Sequence, residues 1–323
     1  PGLVDTLLSE LKGKKIGDAR RVADLLTLGE LGRRVELEQV DAVAKVLLSN
    51  FEGVEDVKQA AAVALGSAAL GNIEKLLPLT LKELESSDKQ YLLVCSLRET
   101  AARAATTDNG AALLESWLDK ILPPLIERAA TGEEGARTVV AECLGKLALL
   151  QPKRVVPTVA ELLSADSAAG RATGVAALRA SIVERAHAVD ALLAPLVPNV
   201  LLLLGDNDIA VRKSTLLFFH YAAHAKASLV APHVAANLEA LYGEAKIKPE
   251  LIREVDLGPF KHKVDDGLEV RKAAYECMYT LLAAFGRTLS MEPFVAALAE
   301  ALDDEYDIAM LAHLIIIRVA AVA

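Results

Sequence analysis

Two histidines, His220 and His224, are the residues of this sequence whose spacing comes nearest to a metal site. Four residues apart on a helix, both rings would lie on one face, an arrangement that can chelate zinc. No glutamate follows the first histidine in Leu-Phe-Phe-His-Tyr-Ala-Ala-His, and the chain contains no His-Glu dipeptide, which argues against zinc-protease and di-iron hydroxylase chemistry. We therefore expect these histidines to lie in the core or line a groove.

Other chemistry-bearing patterns are equally incomplete. Asp206-Asn207-Asp208 resembles the start of a calcium loop but lacks the glycine at the sixth position, and Gly13-Lys14-Lys15 lacks the spacing of a phosphate loop. The three cysteines each lie in an apolar run, as expected for reduced core residues of an intracellular protein: Cys95, Cys143 and Cys277. No local nucleophile signature is present. The sequence thus predicts a protein that is not an enzyme and uses no cofactor, metal or small-molecule substrate.

Composition indicates an acidic helical protein. Of 323 residues, 53% are hydrophobic but only 4% aromatic, and the net charge is −9. Leu and Ala favour helices over strands, and an acidic chain repels phosphate backbones, so no nucleic-acid partner is expected. Two apolar runs, 188–205 and 310–323, are unsuited to span a membrane, since the first contains Asp190 and Pro195 and the second is too short. We expect a soluble protein with no leader peptide.

A local phrase recurs along the chain: one or two acidic residues, a short gap, an aliphatic or small residue, then Lys or Arg opening an Ala/Leu-rich helix. Its clearest copies are Asp206–Arg212 and Asp265–Arg271. The basic position, or its equivalent in weaker copies, falls at residues 21, 58, 92, 137, 171, 212, 271 and 309. Most steps are about 34 to 45 residues, a period typical of helical-pair repeats.

Each part of the phrase has a physical task. The leading Asp or Ser caps the coming helix, the aliphatic residue packs in the turn, and the basic residue can reach acids of the neighbouring repeat. The triplets Ala64-Leu65-Gly66 and Cys143-Leu144-Gly145 let helices approach closely. The helix before each phrase often begins near a proline, a residue that the first turn of a helix tolerates. The predicted helices after the phrase include Ala60–Leu70, Val139–Leu149, Ser214–Ala225 and Ala273–Ala284.

This pattern resembles HEAT repeats. The resemblance implies an all-α fold, a right-handed α-solenoid of antiparallel helix pairs, with residues 1–323 forming one domain of about eight repeats. Solenoid ends need polar caps, and neither Pro1 nor the apolar stretch Ile315–Val319 looks capped. We therefore expect a piece of a longer solenoid, either an expressed fragment or half of a naturally split protein.

One repeat step is irregular. The interval from Arg212 to Arg271 is 59 residues, about 20 longer than its neighbours, which predicts an insertion at residues 243–264 after a helix at Val234–Tyr242. Here the apolar period changes from helical to alternating, and Gly258-Pro259 interrupts the alternation. The predicted insertion is a β-hairpin near Leu251–Val264. Insertions between repeat helices are frequently binding features.

The segment Lys248–Leu282 also resembles a particular family, the cullin-associated exchange factors. The resemblance rests on Glu-Leu-Ile-Arg-Glu-Val, Gly-Pro-Phe-Lys-His and Arg-Lys-Ala-Ala-Tyr-Glu-Cys-Met-Tyr-Thr-Leu-Leu in this segment. Further matches are Leu25–Gly32, Gln90–Leu93, Val140–Leu147 and Tyr306–Ile308, so the resemblance covers almost the whole chain.

The resemblance implies a function in ubiquitin conjugation. In that family the C-terminal solenoid wraps the N-terminal domain of an unneddylated cullin, and a hairpin occupies the site of the substrate-receptor adaptor, so receptors are exchanged during assembly of SCF-type ligases. It also implies further helices beyond Ala323, a long N-terminal arm, which a separate solenoid chain would supply if the protein is naturally split, and a cytoplasmic and nuclear location. The partner-binding residues it indicates are Leu251, Arg253, Val255, Leu257, Gly258, Pro259, Phe260, Lys261 and His262.

Physical chemistry favours the hairpin as the binding element. An isolated two-stranded hairpin is marginally stable in water, so apolar side chains such as Leu251, Val255, Leu257 and Phe260 would gain from docking. The neighbouring Lys261–Lys263 could steer the hairpin to an acidic groove. Two alternatives stay open: the insertion packs on its own helices, or the chain is a karyopherin-like transport receptor that holds basic cargo.

Overall fold

The computed structural model describes residues 2–13, 16–86, 88–256 and 261–322, and most of these are helical. The predicted all-α class with one inserted hairpin is confirmed. The chain divides into two compact units, Pro1–Val159 and Ala160–Ala323. The organisation as one domain of about eight repeats stays a prediction.

The first unit is built of helix pairs in which the second helix of each pair packs on the second helix of the next. Helix α2 packs against α4, α4 against α6, and α6 against α9. The helices are α1 (Gly2–Lys12), α2 (Asp18–Arg34), α3 (Val40–Ser49), α4 (Glu55–Gly71), α5 (Ile73–Ser86), α6 (Gln90–Ala104), α7 (Gly110–Glu115), α8 (Leu118–Thr131) and α9 (Glu134–Leu150). Helix α10 (Pro152–Glu161) follows and crosses the boundary between the units.

Small residues let these inner helices approach closely, as the Ala64-Leu65-Gly66 triplet predicts. A Cβ added to Gly66 would lie 2.2 Å from the carbonyl oxygen of Ser96 on α6. On the other side of α4, a Cβ on Gly29 would lie 2.5 Å from the Cα of Ala64. Both positions therefore require glycine for close approach, and not for an unusual backbone conformation.

Three of the prolines lie farther inside their helices than the sequence suggests. Pro78, Pro123 and Pro157 are each the sixth residue of α5, α8 and α10, whereas Pro198 is the second residue of a later helix that begins at Val197, as expected. The residues before each of the three prolines are already helical. The two residues directly before each of these prolines are also buried, as Leu76 and Leu77 are before Pro78. Each of these three prolines thus removes a backbone donor inside its helix and does not mark the first turn.

The second unit repeats the arrangement and carries the hairpin. Helices α11, α14, α17 and α19 pack one against the next. The elements are α11 (Ala168–Ala180), α12 (Asp190–Leu193), α13 (Val197–Leu202), α14 (Ile209–Ala225), α15 (Ala227–Val230), α16 (Val234–Glu244), β1 (Ile252–Asp256), β2 (Lys261–Asp265), α17 (Leu268–Phe285), α18 (Met291–Ala301) and α19 (Tyr306–Val322). The four helices predicted after the acidic phrase all lie within observed helices.

Helix capping follows the prediction at two of the phrases. The Asp208 carboxylate accepts hydrogen bonds from the backbone N–H of Ala210 and Val211 at the start of α14, and the Ser167 hydroxyl accepts one from Gly170 at the start of α11. Val54 and Glu133, which precede α4 and α9, make no side-chain cap. The phrase therefore marks helix starts more regularly than it caps them.

Arginine–carboxylate pairs join successive repeats of the second unit, as predicted for the basic residue of the phrase. Arg171 binds Asp206 through two hydrogen bonds of 2.7 and 2.9 Å, and Arg212 binds Glu244 at 3.1 Å. In the first unit the equivalent Arg21 instead donates to the neutral side chain of Asn50. Arg171 and Arg212 in the second unit thus have acidic partners, whereas the equivalent Arg21 in the first unit bonds to a neutral side chain.

The Arg171–Asp206 pair predicts an acid-dependent contribution to stability. The guanidinium of Arg171, hydrogen-bonded to both carboxylate oxygens, holds the pKa of Asp206 below its ordinary value. A carboxyl with a lowered folded-state pKa stabilises the fold above its unfolded pKa, and this contribution is lost as pH falls through the folded pKa. Asp206→Asn should therefore lower the free energy of unfolding at pH 7, and the deficit should shrink below about pH 4. Urea titrations at both pH values test this, and a pH-independent deficit would contradict it.

Candidate partner-binding hairpin

The predicted hairpin is present between α16 and α17. Strands β1 and β2 pair antiparallel, with Ile252 opposite Asp265 and Asp256 opposite Lys261. The observed ribbon is displaced by one residue from the predicted Leu251–Val264, because Pro249–Leu251 forms a 3₁₀ turn and pairing begins at Ile252. The predicted site residues Leu257, Gly258, Pro259 and Phe260 lie outside the described residues.

The base of the hairpin is fixed by backbone and side-chain bonds. The Asp266 N–H donates to the carbonyl of Leu251 at 3.1 Å. Arg253 binds both carboxylate oxygens of Asp266, at 2.7 and 3.2 Å, and this lowers the pKa of Asp266. The Asp265 carboxylate accepts from the N–H of Gly267 at 2.8 Å, next to the start of α17. The two strands are therefore held together where they leave the helices.

A buried arginine then ties this base to the next helix pair. Arg271 donates to Asp265 at the end of β2 at 2.7 Å, and binds both oxygens of Asp304, in the turn before α19, at 2.8 and 2.9 Å. The side chains of Arg271 and Asp304 are 2% and 4% exposed. We call Asp265, Arg271 and Asp304 the arginine clamp. It fixes the end of β2 relative to α17 and α19.

Beyond its base, the described part of the ribbon is largely exposed. Arg253, Glu254, Asp256 and the segment 261–263 are exposed, whereas Val255 and Val264 are half-buried. The side chains of the strands are thus available to a partner while the base is anchored.

The register sorts the strand side chains onto two faces. Because alternate residues share a face, Arg253, Val255, His262 and Val264 form one side, the valine face. The other side, the charged face, is formed by Ile252, Glu254, Asp256, Lys261, Lys263 and Asp265.

The predicted site residues are therefore divided. Arg253, Val255 and His262 come together on the valine face, and Lys261 lies on the charged face, where its ammonium is 3.4 Å from the carboxylate of Glu254. Leu251 belongs to the preceding 3₁₀ turn, half-buried beside Gly267. The sequence alternation predicted the exposed strands but not which cross-strand residues share a side, since that depends on the turn length.

The two histidines lie on α14 and differ in their surroundings. The Nδ1 atom of His220 lies 2.9 Å from the Thr280 hydroxyl and 3.2 Å from the carbonyl oxygen of Glu276, both on α17. His224 is exposed. Within the described ranges, no group of three or more His, Cys, Asp or Glu residues could hold a metal ion. His220 instead joins two neighbouring helices.

The cysteines provide a test for reactive thiols. Cys95, Cys143 and Cys277 are buried, and burial raises the pKa of all three thiols, that of Cys143 to about 12. Because the thiolate is the reactive form, we expect iodoacetamide to modify none of them in the native protein at pH 7.5 within the time that labels all three in urea. Mass spectrometry counts the adducts; a cysteine labelled at the same rate in both conditions would contradict the prediction.

Comparisons with known proteins match this architecture and the hairpin sequence. Residues 229–323, which include the hairpin and the clamp, match the family model TIP120, described as TATA-binding protein interacting (TIP20). A Dictyostelium discoideum protein named cullin-associated NEDD8-dissociated protein 1 is 44% identical over 299 residues, 92% of this chain and 24% of that protein. The chain is a relative of the cullin-associated NEDD8-dissociated proteins.

Two other cullin-associated NEDD8-dissociated proteins are also similar to this chain over almost its whole length. Protein 2 of Mus musculus is 39% identical over 99% of the chain and 26% of its own length. A protein of Emericella nidulans named as the C-terminal part of protein 1 is 35% identical over 96% of the chain and 30% of its own length. The chain thus spans about a quarter of the length of the first relatives that it matches.

Solved structures support the helical-repeat fold. Yeast importin-beta, Kap95p, superposes with a TM-score of 0.66 at 14% identity, over 99% of the chain and 42% of that protein. Kap121p superposes with a TM-score of 0.55. At this identity the likeness concerns the fold alone, so the transport-receptor alternative gains no support from it. Among the described helices, none is both long and apolar enough to cross a membrane.

Proposed function

We propose that this chain is a non-enzymatic assembly factor of cullin-RING ubiquitin ligases, which binds the N-terminal domain of an unneddylated cullin. The support is the similarity to proteins named as cullin-associated and NEDD8-dissociated across almost the whole chain. The hairpin is the element that would compete with the substrate-receptor adaptor. The observation that carries this part is a β-ribbon whose base is anchored and whose strands are exposed.

Competition requires an element that is rigid enough to exclude the adaptor and bound weakly enough to be displaced by it. The anchored base reduces the conformational entropy that docking would otherwise cost. Two strands of five residues each offer little area, so the hairpin alone would bind weakly. Weak local binding within a larger contact lets adaptor and hairpin replace each other at the same place.

Binding of the cullin N-terminal domain tests the proposal directly. Isothermal titration of the chain into that domain should show saturable binding, and prior addition of adaptor should raise the apparent dissociation constant. Binding that is undetectable, or unaffected by saturating adaptor, would contradict the proposed function.

A loop replacement isolates the hairpin. Replacing Glu254–Lys263 by a short Gly/Ser loop retains the Leu251–Asp266 and Arg253–Asp266 bonds and the arginine clamp, so we expect unchanged helical content and melting temperature. Because the exposed part of the ribbon is lost, competition with adaptor should fall more than affinity for the cullin domain. Equal loss of both, with the fold intact, would contradict a specific role in competition.

A further inference from the structure

The charged face of the hairpin forms one wall of a cleft between the ribbon and the turn that precedes α19. Ile252, Lys263 and Asp265 line it from the ribbon, and Asp303, Glu305 and Tyr306 line it from the turn between α18 and α19. Ile247, in the segment that leads to the hairpin, also lines it. Arg271 and Asp304 of the arginine clamp also line it, and their side chains are almost fully buried.

Three large side chains in this cleft are exposed to solvent. Ile247 is 49% exposed, Ile252 is 37% exposed and Tyr306 is 75% exposed. They come from three separate segments and meet at one cleft. A second cleft adjoins it, shares Ile247 and Asp304, and extends to Lys246 and Glu300. The combined groove suits an extended chain with an aliphatic side chain more than a single small molecule.

The charge of the cleft selects the occupant. Four carboxylates and two cations line it, so its net charge is −2. Asp265 and Asp304 already bind Arg271, so the exposed Asp303 and Glu305 are the carboxylates that remain for a ligand. These acids do not form a metal site, since no metal-binding group exists among the described residues. A basic side chain complements them.

We infer that this cleft binds an extended segment of a partner protein in which an aliphatic residue adjoins Lys or Arg. The aliphatic side chain packs on Ile247, Ile252 and Tyr306, and the cation faces Asp303 and Glu305. For the identity of the partner, the inference rests on the proposed function, because the cleft adjoins the hairpin and a cullin engaging one would lie beside the other.

The first test uses a peptide probe and a reporter at the cleft. An eight-residue peptide with Leu-Arg-Ile-Lys at its centre is titrated into protein with labelled isoleucine methyl groups. The signals of Ile247 and Ile252 should shift, and that of the buried Ile73 should not. A Leu-Glu-Ile-Glu peptide and a Ser-Arg-Ser-Lys peptide should each bind at least about threefold more weakly. Equal affinity for the three peptides, or no shift at Ile247 and Ile252, would overturn the inference.

Neutralising the two free acids tests the charge. Asp303→Asn with Glu305→Gln should weaken the basic peptide about three- to tenfold, since each exposed ion pair contributes modestly. The matched control, Asp108→Asn with Glu115→Gln, removes two exposed charges from the first unit and should leave the affinity unchanged. Equal weakening by both double variants would overturn the inference, because it would reduce the effect to net charge.

The cullin N-terminal domain separates this inference from the proposed function. If the domain binds and shifts the two methyl signals, and the cleft variant weakens its binding, both the cleft inference and the proposed function are supported. If the domain binds but neither moves those signals nor responds to the cleft variant, the cleft inference fails and the proposed function stands. If the basic peptide binds as described and the domain does not bind, the cleft holds basic-aliphatic segments and the proposed function fails.

Discussion

Replacing Arg271 by methionine is expected to lower the free energy of unfolding of the second unit by about 3–5 kcal/mol. The reason is what the substitution leaves behind: Asp265 and Asp304 are largely buried, at 18% and 4% side-chain exposure, and would lose their shared cation. Methionine fills a similar volume, so the loss reports the uncompensated carboxylates more than a cavity. Urea denaturation followed by circular dichroism measures it.

Two control variants make this result specific. Arg253→Met removes an exposed pair at the same hairpin and should leave the free energy of unfolding nearly unchanged, since exposed ion pairs contribute little. Combining Arg271→Met with Asp304→Leu should recover part of the loss, because fewer buried carboxylates then lack a partner. An Arg271→Met variant as stable as the wild type would contradict the clamp.

Gly66→Ala is the second substitution with a large expected effect, in the first unit. The added methyl group would lie 2.2 Å from the Ser96 carbonyl oxygen, so α4 and α6 must move apart. Overpacking of this kind costs about 1–3 kcal/mol, and we expect the upper part of this range because the obstacle is backbone. The effect outweighs the gain of about 1 kcal/mol in helix propensity from glycine to alanine.

Gly135→Ala is the matched control, since it adds the same methyl group to a helix. No atom lies within 4 Å of that added group. Helix propensity then acts alone, and the variant should be as stable as the wild type or slightly more stable. If Gly66→Ala and Gly135→Ala have the same midpoint in urea, the close approach of α4 and α6 does not constrain residue 66.

Local patterns predicted the helices and the position of the insertion. Helix α14 begins where the Asp206–Arg212 phrase places it, because Asp208 caps it through bonds within three residues. The predicted acidic partner of Arg171 is also present, since a fixed repeat length brings Asp206 to it. The irregular 59-residue step correctly placed the hairpin before Arg271.

Features that depend on how the elements pack against one another could not be predicted from the sequence. Arg271 was expected to reach an acid of the neighbouring repeat, and that acid is Asp304; its further bond to Asp265, six residues earlier at the end of β2, was not predicted. The doubled acids Asp265-Asp266 were the available signal, since one binds the arginine of the helix and the other that of the strand. The cleft could not be predicted, because Ile247, Ile252 and Tyr306 meet only after α18 and α19 have packed.

Whether the hairpin displaces the adaptor from a cullin is tested most directly by a dissociation rate. A cullin N-terminal domain is mixed with fluorescent adaptor, and the release of adaptor is followed after adding excess chain. We predict that the intact chain accelerates release well above the spontaneous rate, and that the Glu254–Lys263 loop variant does not. Release at the spontaneous rate with the intact chain bound, or equal acceleration by the loop variant, would contradict displacement of the adaptor by the hairpin.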